Sequence, residues 1–206
     1  MNPFTNGGWS QAGQGNSNPW DNTSGHAPSV FGALPSLAIS KSVPKSIQPD
    51  SVTFTFTSFN TTILNCSVLG PQNRVAYRIV TEATAPSCTV WKDNESRSVA
   101  MAQWQPNSTL EIRGITHRQR IKDWLRLSSD KSRREVEIRG VLYAWVPMDG
   151  FICLYKAHAT APRVLARIAR APTTVLLELT QEALQADLLE SCVVATVMFV
   201  CGHNID

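Results

Sequence analysis

The chain has 206 residues, with 19 Lys and Arg against 16 Asp and Glu for a formal net charge of +3, and it is 43% hydrophobic and 17% charged. Enough apolar residues are present to build a core in one domain of ordinary size, and a folded part of roughly 150 residues buries about 68–70% of its unfolded surface, so stability need not depend on disulfides or metal. A charge this near balance points to no particular partner for the chain as a whole.

Residues 1–50 are dominated by Asn, Gly, Ser, Gln and Pro, with isolated Phe4, Trp9, Trp20 and Phe31. Such a segment buries too little apolar surface to offset its conformational entropy, and it is expected to be a disordered tail. The opening Met-Asn-Pro-Phe-Thr lacks the basic and apolar regions of a secretory signal. The sequons at Asn22, Asn60, Asn65, Asn94 and Asn107 are therefore read as chance in a Ser/Thr/Asn-rich chain. Cys66, Cys88, Cys153, Cys192 and Cys201 are odd in number, widely spaced and free of any Cys-x-x-Cys. Reduced thiols and an intracellular, cytoplasmic location are the expectation.

Residue 51 begins a domain expected to run to 206. Val52, Phe54 and Phe56 alternate with Thr53, Thr55 and Thr57, the pattern of a half-buried strand. Short runs rich in β-branched and aromatic residues follow at 61–68, 75–81, 87–91, 98–104 and 109–112, separated by turn residues such as Gly70-Pro71 and Gln105-Pro106-Asn107. Strands resume at 135–138, 141–146, 151–155, 164–168 and 174–179, with Asp149-Gly150 as a hairpin signal. A regular train of short strands predicts a sandwich or barrel.

The end of the chain changes character. Asp187–Cys201 is apolar on every side after Ser191, so a helix there must be enclosed rather than laid on a surface. Glu190 and the short apolar run exclude a membrane span, which needs ~20 residues. A helix over about 181–201 is predicted, with Thr180 as a cap, Asp187-Leu-Leu-Glu190 as a capping box opening the apolar stretch, and Gly202 at the C-terminal cap. The fold expected is mainly β: a closed or nearly closed antiparallel barrel of about 12 strands around a hydrophobic C-terminal helix.

That layout resembles the Tubby C-terminal-like superfamily, which includes Tubby, LURP-one-related and phospholipid scramblase proteins. Within it the chain is similar to the fungal family catalogued as domain of unknown function 6593. The likeness is carried by Val75-Ala-Tyr77-Arg-Ile79-Val-Thr81, Ile121-Lys-Asp-Trp124-Leu125, Gly140-Val-Leu-Tyr143-Ala-Trp145 and the tail from Glu182 to Thr196, and it covers roughly residues 51–202. These motifs are aromatic and apolar; they imply a fold and no chemistry.

No reaction is legible. His26, His117, His158 and His203 have no metal-ligand spacing, and Gly-x-Ser-x-Gly, Walker and Gly-x-Gly-x-x-Gly motifs are missing. No catalytic residue, metal or cofactor is expected, and the protein is not read as an enzyme. Residues 113–139 are the exception in charge, with nine Lys and Arg against four Asp and Glu. Arg113, Arg118, Arg120, Lys122, Arg126, Arg133 and Arg134 are the candidate anion- or lipid-binding residues, with Ile121–Arg126 as a helical turn. The resemblance implies the same direction, because Tubby domains use basic residues for phosphoinositides, although no Tubby binding motif aligns here residue by residue. A solvated rim is the plainer reading of the same charges. Two functions are carried forward: a non-enzymatic domain docking on anionic phospholipid through this basic region, and a protein-interaction or scaffolding domain with no lipid ligand. Nucleic acid is disfavoured, since no RNP-type aromatic and basic motif occurs.

Overall fold

Alternation builds the molecule. In β1 (Val52–Thr57), Phe54 and Phe56 turn inward while the threonines stay half-buried or exposed. The same two-residue rhythm runs through β2 (Cys66–Leu69), β3 (Val75–Glu82), β4 (Cys88–Asp93), β5 (Ser98–Gln103) and β6 (Thr109–Ile112). After them come β7 (Thr116–Arg120), the one-turn helix α1 (Ile121–Trp124), β8 (Arg126–Leu127), β9 (Arg134–Ile138), β10 (Val141–Met148), β11 (Phe151–Lys156), β12 (Val164–Arg170) and β13 (Val175–Leu179). The computed structural model of the protein describes residues 47, 49–82 and 87–206. Apart from Ile47, Pro49 and Asp50, the predicted disordered segment lies outside the described residues.

The strands form one thirteen-stranded antiparallel sheet in the order β7-β6-β5-β4-β3-β2-β1-β13-β12-β11-β10-β9-β8. Inward residues meet across strands in continuous rows. Phe54 faces Leu177, Leu177 faces Ile168 and Ile168 faces Ile152, all of them buried. The next row runs Val52, Leu179, Ala166, Leu154, Trp145 and, at its end, Arg134. Cross-strand pairs of this kind are the unit of sheet stabilisation. The Asp149-Gly150 turn closes the β10–β11 hairpin with both residues at positive φ, as its sequence predicts.

About twelve strands in a closed or nearly closed barrel are the expectation from sequence; the sheet has thirteen and is not closed by hydrogen bonds. Its edges are β7 and β8, and α1 joins them directly in sequence while touching β6 and β9 as well. The two strands beyond the eleven runs named from sequence, β7 and β8, are both at edges. β7 reads Thr-His-Arg-Gln-Arg and β8 has two residues, so neither carries an apolar alternation. Charge and shortness are also how natural sheets discourage pairing at an open edge. The strand expected over 61–68 begins only at Cys66. Upstream, backbone bonds from Asn60 N to Asn65 O and from Asn65 N to Thr62 O make a turn, and the Asn65 side chain accepts from Thr81 N, so Ile63 and Leu64 reach the core from a loop.

The helix predicted over about 181–201 is two helices, α2 (Gln181–Gln185) and α3 (Leu189–Val200). Thr180 caps α2 as expected, its hydroxyl accepting from Ala183 N at 3.2 Å. The expected capping box does not form. Asp187 instead ends α2 in the left-handed region, φ 53°, with Leu188 N bonded to Ala183 O and Asp187 N to Leu184 O. This is a Schellman ending, with Asp where Gly is commoner and Leu188 buried against the core. Gly202, at φ 72°, follows the last turn of α3.

α3 is buried on every side, since the nine consecutive residues Ser191–Phe199 are all inaccessible. It packs against β13, and the Phe199 ring meets Trp145 of β10 edge to face, with centroids 5.5 Å apart. Thr196 satisfies its hydroxyl by donating back to Cys192 O at 2.7 Å. Val194 is only 1% exposed, so a charge placed there would be buried. Val194→Asp is therefore expected to lose about 3–5 kcal/mol or more, comparable with the whole stability of a small domain. The variant should appear in the insoluble fraction and lack a cooperative melt; a soluble Val194→Asp protein that melts cooperatively would contradict this packing.

Candidate anion-binding surface

The basic region is a strand, a turn of helix and a strand, and those elements sort its charges. In β7 the alternation turns Gln119 inward opposite Leu110 and leaves Arg118 and Arg120 outward. Arg118 donates through Nη2 to Gln103 Oε1 and through Nε to Thr109 Oγ1, both neutral acceptors, so its charge is uncompensated. α1 buries Ile121 and Trp124 and exposes Lys122 and Asp123. Ile121 N bonds Ser108 O at 3.0 Å, which fixes the turn against the β5–β6 loop. Arg113 is exposed in the β6–β7 turn, where Gly114 takes φ 71°, and Arg126 is exposed on β8. Among the described residues, Arg113, Arg118, Arg120, Lys122 and Arg126 are in no ion pair.

The other two candidates differ. Arg133 is tied to Glu135 at 3.0 Å and lies near Asp130 at 3.8 Å. Asp130 is held down at about 2 by bonds from Ser128 and Ser132, with Arg133 nearby. Arg134 is 0% exposed and so presents nothing to a membrane surface. Its Nη1 donates to Leu125 O at 2.7 Å and its Nη2 to the Asp206 carboxylate at 2.8 Å, while Nε has no partner among the described residues. The reason is register. Arg134, Val136 and Ile138 share the inward face of β9, and Glu135 and Glu137 share the outward one.

Two hollows flank α1. One, of about 380 Å³, is lined by Thr116, Gln119, Asp123, Trp124, Arg126, Glu137 and Arg139 among others, a mixture of both signs. The other, of about 250 Å³, is lined by Pro106, Asn107, Ser108, Arg120, Lys122, Asn204, Ile205 and Asp206. Of the seven candidate cations Arg126 lines the first hollow and Arg120 and Lys122 the second, while Arg113, Arg118, Arg133 and Arg134 line neither.

One wall of the second hollow is formed by Asn204, Ile205 and Asp206. His203 stacks on Trp104 with ring centroids 4.4 Å apart, and burial lowers its pKa. Trp104 in turn donates from Nε1 to Thr89 Oγ1 at 2.8 Å. Sequence reasoning does not reach His203 and Asp206 as site residues, because a lone His or Asp near a terminus carries no local signal.

Four of the five thiols are packing atoms, and Cys88 is half-buried. Cys66, Cys153, Cys192 and Cys201 are buried and all five cysteines are free. Burial pushes Cys66 and Cys201 up to about 12 and Cys153 to about 11, and raises Cys192 as well. A thiol so raised is protonated at neutral pH and a poor nucleophile. Among the described residues no group of three or more His, Cys, Asp and Glu is placed to hold a metal ion, and no helix is long and apolar enough to cross a membrane.

Residues 57–200 match the family of unknown function (DUF6593). No curated protein matches the chain. A solved structure of a protein from Arabidopsis thaliana is similar over 71% of this chain and 90% of that one, at 12% identity and a TM-score of 0.38.

Arg134 can be told from its neighbours by stability. Arg134→Ala leaves a cavity, an unpaired Leu125 carbonyl and a carboxylate without its partner. Asp206 is one-third exposed and can be hydrated, so the loss should be about 3 kcal/mol, the low end for breaking a buried pair. Arg126→Ala, on the surface, should stay within about 0.5 kcal/mol of the parent. Chemical denaturation measures both, and equal losses would overturn the assignment of Arg134 to the core.

Proposed function

We propose, for a chain that belongs to the family of unknown function DUF6593, a non-enzymatic domain that docks on anionic phospholipid through the surface running β7–α1–β8. One observation carries this reading: Arg113, Arg118, Arg120, Lys122 and Arg126 are exposed, free of ion pairs among the described residues and confined to fourteen residues. Cations left uncompensated this close together raise the local potential, and an anionic leaflet contributes about 1 kcal/mol for each Lys or Arg near it. The cytoplasmic face of a membrane supplies such a leaflet. Arg133, with its own carboxylates, contributes little, and Arg134, in the core, adds nothing to the exposed charge.

The architecture belongs to the same proposal. The strands are read as curling round α3 into a nearly closed barrel of the Tubby C-terminal-like kind, with α1 filling the seam between β7 and β8. Three contacts support it: α1 with strands from both ends of the sheet, Phe199 with β10, and Trp104 with His203 just beyond α3. The placing among fungal relatives in that superfamily rests on the aromatic motifs around Tyr77, Trp124 and Trp145. On this reading the barrel is a rigid mount, and the seam is where its charge is displayed.

Co-sedimentation with vesicles of phosphatidylserine and phosphatidylcholine tests the function. Binding should fall steeply with salt, and the Arg118→Ala, Arg120→Ala, Lys122→Ala triple variant should bind on the order of a hundredfold more weakly. Binding that is absent, or unchanged in the triple variant, would reject lipid docking and leave the protein-interaction reading in its place.

A further inference from the structure

The smaller hollow beside α1 holds a detail that general surface charge does not explain. Arg120 and Lys122 line it, with Ser108 and Asn107 supplying a hydroxyl and an amide, and neither cation has an acidic partner among the described residues. The one acid in its lining, Asp206, pairs with neither of them and accepts instead from Arg134 Nη2 at 2.8 Å. Arg134 is wholly buried, and its Nε–H, inaccessible to water, has no acceptor among the described residues. A third cation, the second guanidinium and one with a donor unspent, therefore stands behind the carboxylate, outside the lining itself. Buried polar groups are nearly always bonded, and a buried arginine left short of an acceptor is an exception that asks for a cause.

We propose that this hollow is a binding site for a phosphate monoester anion, and that the Asp206 side chain is an internal stand-in for it, competing for Arg134. The inference deepens the anionic-docking reading and rests on it. A carboxylate brings one negative charge and two oxygens. A phosphate monoester brings about −1.5 to −2 and three strong acceptor oxygens, enough to engage Arg134, Arg120 and Lys122 together. The arginine fork suits that geometry, and Lys122 serves as a point charge. Size agrees: about 250 Å³ is below the range of about 300–1,000 Å³ that drug-sized ligands occupy, and it suits a single phosphate or the phosphorylated end of a headgroup. Displacing Asp206 keeps a negative group on Arg134 throughout, so the buried charge is never stranded. The His203–Trp104 stack and the buried Ile205 hold the preceding residues in place, so only the Asp206 side chain has to swing.

The test uses the full chain and inorganic phosphate as probe, with chloride at matched ionic strength as control. Asp206→Ala exposes Arg134 without its stand-in, so phosphate should bind on the order of tenfold more tightly than to the parent, the factor for one charge-assisted hydrogen bond. Phosphate, and not chloride, should raise the melting temperature of this variant. Adding Arg120→Ala and Lys122→Ala should abolish both effects. Asp206→Asn keeps the side-chain shape and a neutral acceptor, and it serves if Asp206→Ala does not fold; its phosphate affinity should lie between the two. Vesicles carrying phosphatidylinositol phosphate, compared with phosphatidylserine vesicles of equal charge density, identify the source. Excess binding to the former assigns a lipid headgroup, and equal binding with intact phosphate affinity assigns a free phosphate. No phosphate-specific effect in either Asp206 variant overturns the proposal. If vesicle docking nevertheless persists and depends on Arg118 and Arg126, the anionic-docking reading stands and only the Asp206 mechanism falls.

Discussion

The constraint on which everything else depends is the burial of α3. A twelve-residue helix with no polar face is about 18 Å long and cannot rest on a surface; apolar side chains must meet it all round. The helix shares one buried apolar cluster with large residues from strands in distant parts of the chain. Trp91 of β4, Trp145 of β10, Phe56 of β1 and Leu154 of β11 are all essentially inaccessible. Close packing then leaves little freedom for any one of them, because interiors at this density have no slack for added or removed volume. It also explains the chemistry of the core cysteines, whose thiols are raised by burial and serve as small apolar groups.

The polar features lie where that apolar enclosure stops. The inward row through Leu179, Ala166, Leu154 and Trp145 ends in Arg134, beside the two-residue edge strand β8. There the last side chain is a guanidinium, answered by a backbone carbonyl and by Asp206 from beyond the helix. Removing one partner of such a pair is far more damaging than never having had it. Between the edge strands β7 and β8 in sequence comes α1, whose Ile121 and Trp124 are buried and whose Lys122 is exposed. Structure and charge therefore change over within about ten residues. The same short segment that joins the sheet edges carries the exposed cations.

Much of this is legible in sequence, for physical reasons. Two-residue alternation in Val52–Thr57 marks a strand because successive side chains take opposite faces, and the all-round apolarity of Ser191–Phe199 marks a buried helix. Asp149-Gly150 marks a hairpin because both positions need positive φ. The misses are equally physical. Edge strand β7 leaves no trace in the pattern because an edge exposed to water need not alternate in hydrophobicity. The break at Asp187 is open to misreading because Asp favours both the start of a helix and, less often, the left-handed end of one. Its charge groups Arg134 with the surface, yet the sequence Arg134-Glu-Val-Glu-Ile places it in phase with Val136 and Ile138. Its partner, 72 positions away, has no local signature at all.

Hydrogen exchange on the native protein examines the central claim, the burial of α3, most directly. Amides of Val193–Phe199 should exchange only through global unfolding, as slowly as those at the centre of β1 and β13, while the edge strand β7 should open at lower free energy. Faster exchange in α3 than in β7 would mean that the helix leaves the core while the sheet persists, and α3 would then not be the element that the fold is built to enclose.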